Sequence, residues 1–188
     1  MRRRAVWAVL ALAVLSACSR APKLADYGTV PNFNLTAQNS HPFSSAESLN
    51  GHIWIADFIY TNCTGPCPMM TTRMRRIQQA LEKRRDVRLV SFTVDPERDT
   101  PPVLAAYADR FHADTSRWFF LTGTREALQQ LNRQAFKLGD VDDTLEHSTR
   151  LVLVDGRSHV RGYYHSGDPD SMAKLLDDVA VLSKEPSL

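Results

Sequence analysis

The chain has 188 residues, with 23 Lys and Arg against 21 Asp and Glu and a formal charge of +2. That near balance argues against a nucleic-acid-binding surface. The length and 43% hydrophobic content suit a single domain with a sizeable core.

Arg2, Arg3 and Arg4 precede an unbroken apolar run from Ala5 to Leu15. The run is too short to span a bilayer comfortably and is built like the leader of an exported protein. Leu15-Ser16-Ala17-Cys18 resembles the bacterial lipobox, which implies cleavage before Cys18 and lipidation of that cysteine. An uncleaved N-terminal anchor is the alternative. Either way the rest of the chain is expected in the cell envelope, facing the periplasm or the cell exterior. Residues 1–17 carry three arginines and no acid, so their loss takes the charge from +2 to −1. The expected organisation is a signal peptide over 1–17, a lipidated tether over 18–28 and one domain over 29–184.

Within that domain, Val30 to Thr36 predicts a short strand. Asn39-Ser40 gives a turn, and a second strand near Phe43 completes an N-terminal hairpin. Ser48 to Gly51 reads as another turn. Ile53 to Tyr60 is apolar on both faces apart from Asp57, the pattern of a strand covered by helices on both sides. From Met69 to Arg85 the periodicity is helical. Met70, Met74, Ile77 and Leu81 share a face, and Arg75, Arg76, Gln79 and Lys83 face water. Val87 to Val94 is the next strand. Thr100 is placed to cap a helix that begins at Pro101-Pro102 and ends near Phe111. Trp118 to Thr122 is a strand. Thr124 caps a helix running to Phe136, with Ala127, Leu128 and Leu131 inward. Residues 137–147 form an acidic loop. Ser148 to Val154 and Val160 to Tyr164 form a hairpin about Asp155-Gly156, and Asp168-Pro169 opens a last helix to about Val181. This order predicts an α/β protein with a thioredoxin-like fold: a mixed central sheet flanked by helices, preceded by a β-hairpin.

With Cys18 committed to lipid, Cys63 and Cys67 are the remaining cysteines of the chain. They follow an apolar strand and open a helix, where an α/β sheet presents reactive groups. Residues i and i+4 share a helix face, so both sulfurs can point one way. The helix N-terminus favours thiolate over thiol. The predicted topology returns Asp95 and His147 to the same sheet edge. Two thiolates select soft metals, and an imidazole adds a ligand acceptable to Cu(I) and Cu(II) alike, making a small open site that can pass copper on. Zinc would accept the same ligands. A structural disulfide is the alternative for the cysteines, although so small a loop constrains the unfolded chain weakly. A surface histidine is the alternative for His147, and His41, His52, His112, His159 and His165 take that reading too. Met69, Met70 and Met74 could mimic a thioether site, but their spacing fits core packing.

Several blocks in order carry a family resemblance: Val30-Pro-Asn-Phe33, Asp57-Phe-Ile-Tyr-Thr-Asn-Cys-Thr-Gly-Pro-Cys-Pro-Met-Met70, Ser91-Phe-Thr-Val-Asp-Pro-Glu-Arg-Asp-Thr-Pro101, Trp118-Phe-Phe-Leu-Thr-Gly123 and His147-Ser148. From about Pro31 to Leu176 the chain resembles the Sco/SenC family of copper chaperones. The resemblance implies copper ligands at Cys63, Cys67 and His147. It places Asp95 and Asp99 near the metal or a partner surface. It also implies delivery of copper to the binuclear copper centre of cytochrome c oxidase subunit II, directly or through copper-relay proteins, or reduction of that subunit's cysteines. Some members are linked instead to redox defence. The lipobox departs from the commoner transmembrane anchor.

Two other activities are open. As a thiol–disulfide oxidoreductase, Cys63 and Cys67 would cycle, one attacking and the other resolving. Thioredoxin-type enzymes, however, use two intervening residues, and this chain has three. As a thiol peroxidase, Thr64-Gly-Pro-Cys67 matches half of the peroxiredoxin pattern, but Tyr60 stands where that pattern has proline.

Overall fold

Every residue of the central strand β3 (Ile53–Ile59) is buried, and alternate positions feed two different cores. Side chains alternate across a strand, so a strand with no polar face must be covered on both sides. In this computed structural model, which describes residues 23–139 and 148–185, that covering is what the chain provides.

The hairpin of β1 (Asn34–Ala37) and β2 (Pro42–Ser44) leads through a helical turn, α1 (Ser45–Ser48), into β3. Helix α2 (Cys67–Ala80) crosses to β4 (Val87–Thr93), and α3 (Pro101–Arg110) crosses to β5 (Trp118–Thr122). Helix α4 (Arg125–Gln130) continues into a π-helical turn (Leu131–Ala135). The hairpin β6 (Arg150–Val154) and β7 (Val160–His165) precedes α5 (Pro169–Leu182). The seven strands are ordered β2-β1-β5-β4-β3-β6-β7. β3, β4 and β5 are parallel; the other pairings are antiparallel. This is the expected α/β, thioredoxin-like arrangement with its N-terminal hairpin.

On one face, Ile55 and Ile59 pack with Met70, Met74 and Ile77 of α2, Leu104 and Tyr107 of α3, and Leu175 and Val179 of α5. On the other, Trp54 and Phe58 meet Phe92, Leu128, Leu131 and Phe136. The rings of Phe58, Phe92 and Phe136 lie 4.9–5.5 Å apart between centroids. Such aromatic pairs add about 0.5–1.5 kcal/mol each beyond the area they bury.

Several boundaries differ from the sequence expectation. β1 begins at Asn34, not Val30; Pro31 has no N–H to give a ladder, and Thr29 makes only an isolated bridge with His159. The turn expected at Ser48 to Gly51 is preceded by the helical turn of α1. Helix α2 ends at Ala80 rather than Arg85, because the Arg117 guanidinium donates to the carbonyls of Gln78 and Leu81 at 2.6 and 2.8 Å and closes its last turn. Thr100 has the backbone of an N-cap, but its side chain caps nothing. Prolines at the first two helical positions leave fewer N–H groups to cap. Thr124 does cap, accepting from the Ala127 N–H at 3.2 Å, yet its helix loses α geometry after Gln130. Met70 and Met74 are core, as expected, whereas Met69 is exposed.

Candidate metal centre

β3 delivers the chain to the edge of the sheet, and residues 60–66 loop over to the start of α2. Pro66 occupies the N-cap position of that helix and offers no capping side chain. The sulfur of Cys63 takes that place. It accepts from the Gly65 N–H at 3.3 Å, and the Cys67 N–H and the Cys67 thiol also hydrogen-bond to it. Both sulfurs are thiols here rather than a disulfide. Cys63 is 8% exposed and Cys67 fully buried.

This arrangement splits the acidities of the pair. Burial opposes the Cys63 thiolate, but hydrogen bonds from Cys67, Gly65 and the Tyr60 hydroxyl outweigh it and lower the Cys63 pKa below the ordinary thiol range. Burial, and then hydrogen bonding to Cys63, pushes the Cys67 thiol up. The Tyr60 hydroxyl's own hydrogen bond to Cys63, more than burial, pushes that hydroxyl up to about 12. The site therefore pairs one thiol biased toward thiolate with one that holds its proton until a thiophilic ion competes for the sulfur.

Below the pair, the Thr71 hydroxyl donates to the Cys67 carbonyl at 3.0 Å and meets the Tyr107 hydroxyl at 2.8 Å. Asp57 lies on the face of β3 covered by α2 and is wholly buried. The Ser91 hydroxyl donates to its Oδ1 at 2.6 Å, and Trp118 Nε1 donates to Ser91 Oγ at 3.0 Å. Asp57 Oδ2 has no hydrogen-bond partner among the described residues. Burial, only partly offset by Ser91, raises the Asp57 pKa to about 7.

Beside the loop, the turn after β4 supplies Asp95 and Asp99, both buried. Asp95 Oδ2 accepts from Arg98 at 2.9 Å, and Oδ1 has no partner among the described residues. Asp99 accepts from the Thr61 N–H, the Thr61 hydroxyl and the Thr93 hydroxyl. The predicted topology placed Asp95 at this edge, and the family resemblance placed Asp95 and Asp99 near the metal or a partner surface without a firm role. Sequence reasoning missed Tyr60, Thr61, Thr93 and the isolation of Asp57. Asp57 had a signal, as the one charge in an otherwise apolar strand.

His147 and Cys18 lie outside the described residues. The approach to His147 is described: β6 runs antiparallel to β3, with Ala56 opposite Val152 and Trp54 opposite Val154, so β6 begins at the edge where β3 ends. Among the described residues, no group of three or more His, Cys, Asp or Glu is placed to hold a metal. The two sulfurs suit a soft, thiophilic ion and leave it short of ligands.

A thiol pair at a helix N-terminus, on the edge of a sheet with three parallel central strands, defines a thioredoxin-like dithiol protein. The particular family follows from comparison. The SCO1/SenC family model matches residues 22–182. The SCO1 protein homolog of Bacillus subtilis is 34% identical over 145 residues, covering 74% of this chain and 75% of its own. A Stutzerimonas stutzeri protein provisionally named as copper-binding is 36% identical over 143 residues, covering 71% and 68%. A SCO1/SenC family lipoprotein from Bacillus anthracis superposes with a TM-score of 0.76 at 32% identity, covering 83% of this chain and 95% of its own. BsSco, a member of the Sco family of cytochrome c oxidase assembly proteins in which a disulfide switch was identified, gives 0.75 at 31%, covering 88% and 100%. The chain belongs to the SCO1/SenC family.

Proposed function

We propose that this protein is an extracytoplasmic copper chaperone that delivers Cu(I) to the binuclear copper centre of cytochrome c oxidase subunit II, directly or through copper-relay proteins. Cys63 and Cys67 hold the ion, and His147 completes the site. The observation that carries this reading is the sulfur pair itself: adjacent, water-shielded thiols with one already biased toward thiolate. Cu(I) is soft and accepts two thiolates and an imidazole. Binding releases the Cys67 proton; transfer exchanges each sulfur for a partner thiolate, and the chaperone's thiol is reprotonated, with no change in oxidation state. Support comes from the provisional copper-binding name of the Stutzerimonas relative and the oxidase-assembly role of BsSco. Lipidation at Cys18, after removal of residues 1–17, would tether the domain of residues 29–184 to the membrane through residues 18–28. The family lipoprotein of Bacillus anthracis supports that anchor.

Anaerobic Cu(I) titration of the purified, reduced protein tests the reading. One equivalent binds tightly, and Cys63→Ser and His147→Ala each weaken it at least tenfold. Unchanged affinity in His147→Ala removes the third ligand, and unchanged affinity in Cys63→Ser removes the site.

One observation favours a second reading, thiol–disulfide exchange with a partner's cysteines. The acidities of Cys63 and Cys67 are split, as an attacking and a resolving thiol require. Cys63 would attack the partner disulfide and release one partner thiolate. Cys67 would then displace the second, leaving Cys63–Cys67 oxidised and the partner reduced by two electrons. Turnover of a disulfide substrate by the copper-free protein would establish it.

A further inference from the structure

The Cys63 loop is held from outside itself. Thr61 leaves β3 two residues before Cys63, and its backbone N–H points at the Asp99 carboxylate, 3.1 Å from Oδ2 and 3.3 Å from Oδ1. Its hydroxyl donates to Oδ1 at 2.5 Å. The Thr93 hydroxyl, at the end of β4, donates to Oδ2 at 2.5 Å. Asp99 itself is fixed by its own N–H, which donates to the Asp95 carbonyl at 2.9 Å. It is only 1% exposed. Burial raises the Asp99 pKa, but every donor that converges on it favours the carboxylate form, to which hydrogen bonds are about twice as strong as to a neutral acceptor. The loop then closes on itself, with the Cys63 N–H donating to the Tyr60 carbonyl at 3.3 Å. The position of the Cys63 sulfur thus depends on a residue 36 positions further along the chain.

We propose that Asp99 is a positioning residue for the dithiol: by tying Thr61 to Thr93 it fixes where the Cys63 loop leaves the sheet, and so holds the Cys63 sulfur over the start of α2. On the Cys67 side the helix does the positioning, and the Tyr60 N–H also hydrogen-bonds to the Cys67 sulfur. Asp99 touches neither sulfur and transfers nothing. Its part is to keep one donor atom in place while the other is held by α2. The inference rests on the dithiol being the functional site and gives the second block of the family resemblance a physical dependence on the third.

The test compares Asp99→Ala, Asp99→Asn and Thr61→Val in the full-length protein. Asparagine keeps an acceptor for Thr61, and the Thr93 hydroxyl can turn to accept from the new amide, so most of the tie survives. Valine at 61 removes the hydroxyl but keeps the N–H. Three readouts are taken: the alkylation rate of Cys63 by iodoacetamide in the metal-free protein, Cu(I) competition with a chromophoric chelator, and the thermal midpoint. Asp99→Ala is expected to speed Cys63 alkylation at least fivefold and weaken Cu(I) about tenfold. Asp99→Asn stays within twofold of the parent on both. Thr61→Val shifts alkylation two- to threefold in the same direction as alanine. If Asp99→Ala lowers the thermal midpoint but leaves alkylation and Cu(I) affinity within twofold of the parent, Asp99 is merely structural and the proposal is overturned. If Asp99→Ala does not fold, Thr61→Val decides: unchanged alkylation overturns the proposal as well. If the parent protein binds no Cu(I), it is the copper reading that fails, and the alkylation rates still judge the tie.

Discussion

The two ends of the central sheet bury charge in opposite ways. At the end away from the dithiol, Arg161 is buried with every arm engaged. It bonds Asp155 at 2.8 Å, Glu185 at 2.9 and 3.0 Å, and the carbonyls of Leu24 and Ala25 at 3.1 and 2.9 Å. That guanidinium gathers both ends of the described domain onto β7. At the dithiol end, the buried carboxyls of Asp57 and Asp95 each keep one oxygen without a partner among the described residues. A fully paired buried charge anchors; a partly paired one stores a cost that tertiary structure must offset. The contrast is one of charge rather than of polarity as a whole: His52 Nδ1 and Trp54 Nε1, at the Arg161 end, also lack partners among the described residues, but at the dithiol end it is carboxyl oxygens that are left so.

Breaking the end whose charge is paired should have the largest effect. Arg161→Met leaves the buried Asp155 Oδ2 with only the Arg157 guanidinium at 3.9 Å, while Glu185 can turn to water. Removing one partner of a buried ion pair costs about 3–5 kcal/mol. Urea unfolding should show a loss of that size, while the Cys63 alkylation rate of the folded protein stays unchanged, since the two ends share no residue. A change at Cys63 would mean that the ends are coupled.

The end whose carboxyls are partly paired should show itself in pH. Asp57 loses its proton near 3.8 when unfolded and near 7 when folded. Between those values the folded state holds the extra proton, so stability falls as pH rises, the reverse of a salt-bridged carboxylate. At 1.36 kcal/mol per pH unit, the loss approaches roughly 4 kcal/mol by pH 7 to 8. Asp57→Asn should flatten this slope and raise the urea midpoint at pH 8 relative to the parent. A parent midpoint that rises from pH 4 to pH 7 would show that Asp57 is ionised and paired in the folded state.

The sequence was most legible where one physical rule acted alone. Ile53 to Ile59 read as a doubly covered strand because burial on both faces leaves no alternation. Met70, Met74 and Ile77 read as a helix face because nothing interrupts their period. Cys63 and Cys67 were legible as a pair from their spacing and from the strand before them. What could not be read were interactions closed by the tertiary fold. Arg117 ends α2 from 36 residues away, and Asp99 holds Thr61 across 38. No local pattern encodes either. Thr100 failed as a side-chain cap for the opposite reason: a local rule was met, but Pro102 had removed one of the two N–H groups it acts on.

The smallest expected effect separates two helix starts at the same end of the sheet. Helix α5 begins with a conventional cap: Asp168 accepts from the N–H groups of Asp170 and Ser171 at 3.1 and 3.2 Å. Helix α2 begins with Pro66 and leaves its first N–H groups to the Cys63 sulfur. Asp168→Ala should therefore cost about 1 kcal/mol, the usual loss for a missing cap, and leave thiol reactivity alone. At α2 the cap and the reactive atom are the same, so stability and reactivity cannot be separated in that way. Alkylation of Cys63 turns its sulfur into a thioether, a weaker acceptor for the Gly65 and Cys67 N–H groups, and the first turn of α2 should loosen. Amide hydrogen exchange at Gly65 and Cys67, compared before and after alkylation, measures this. Faster exchange there, with the start of α5 unchanged, would show the helix answering to the state of its sulfur cap. Equal protection in both states would mean that the first turn is held by its packing alone.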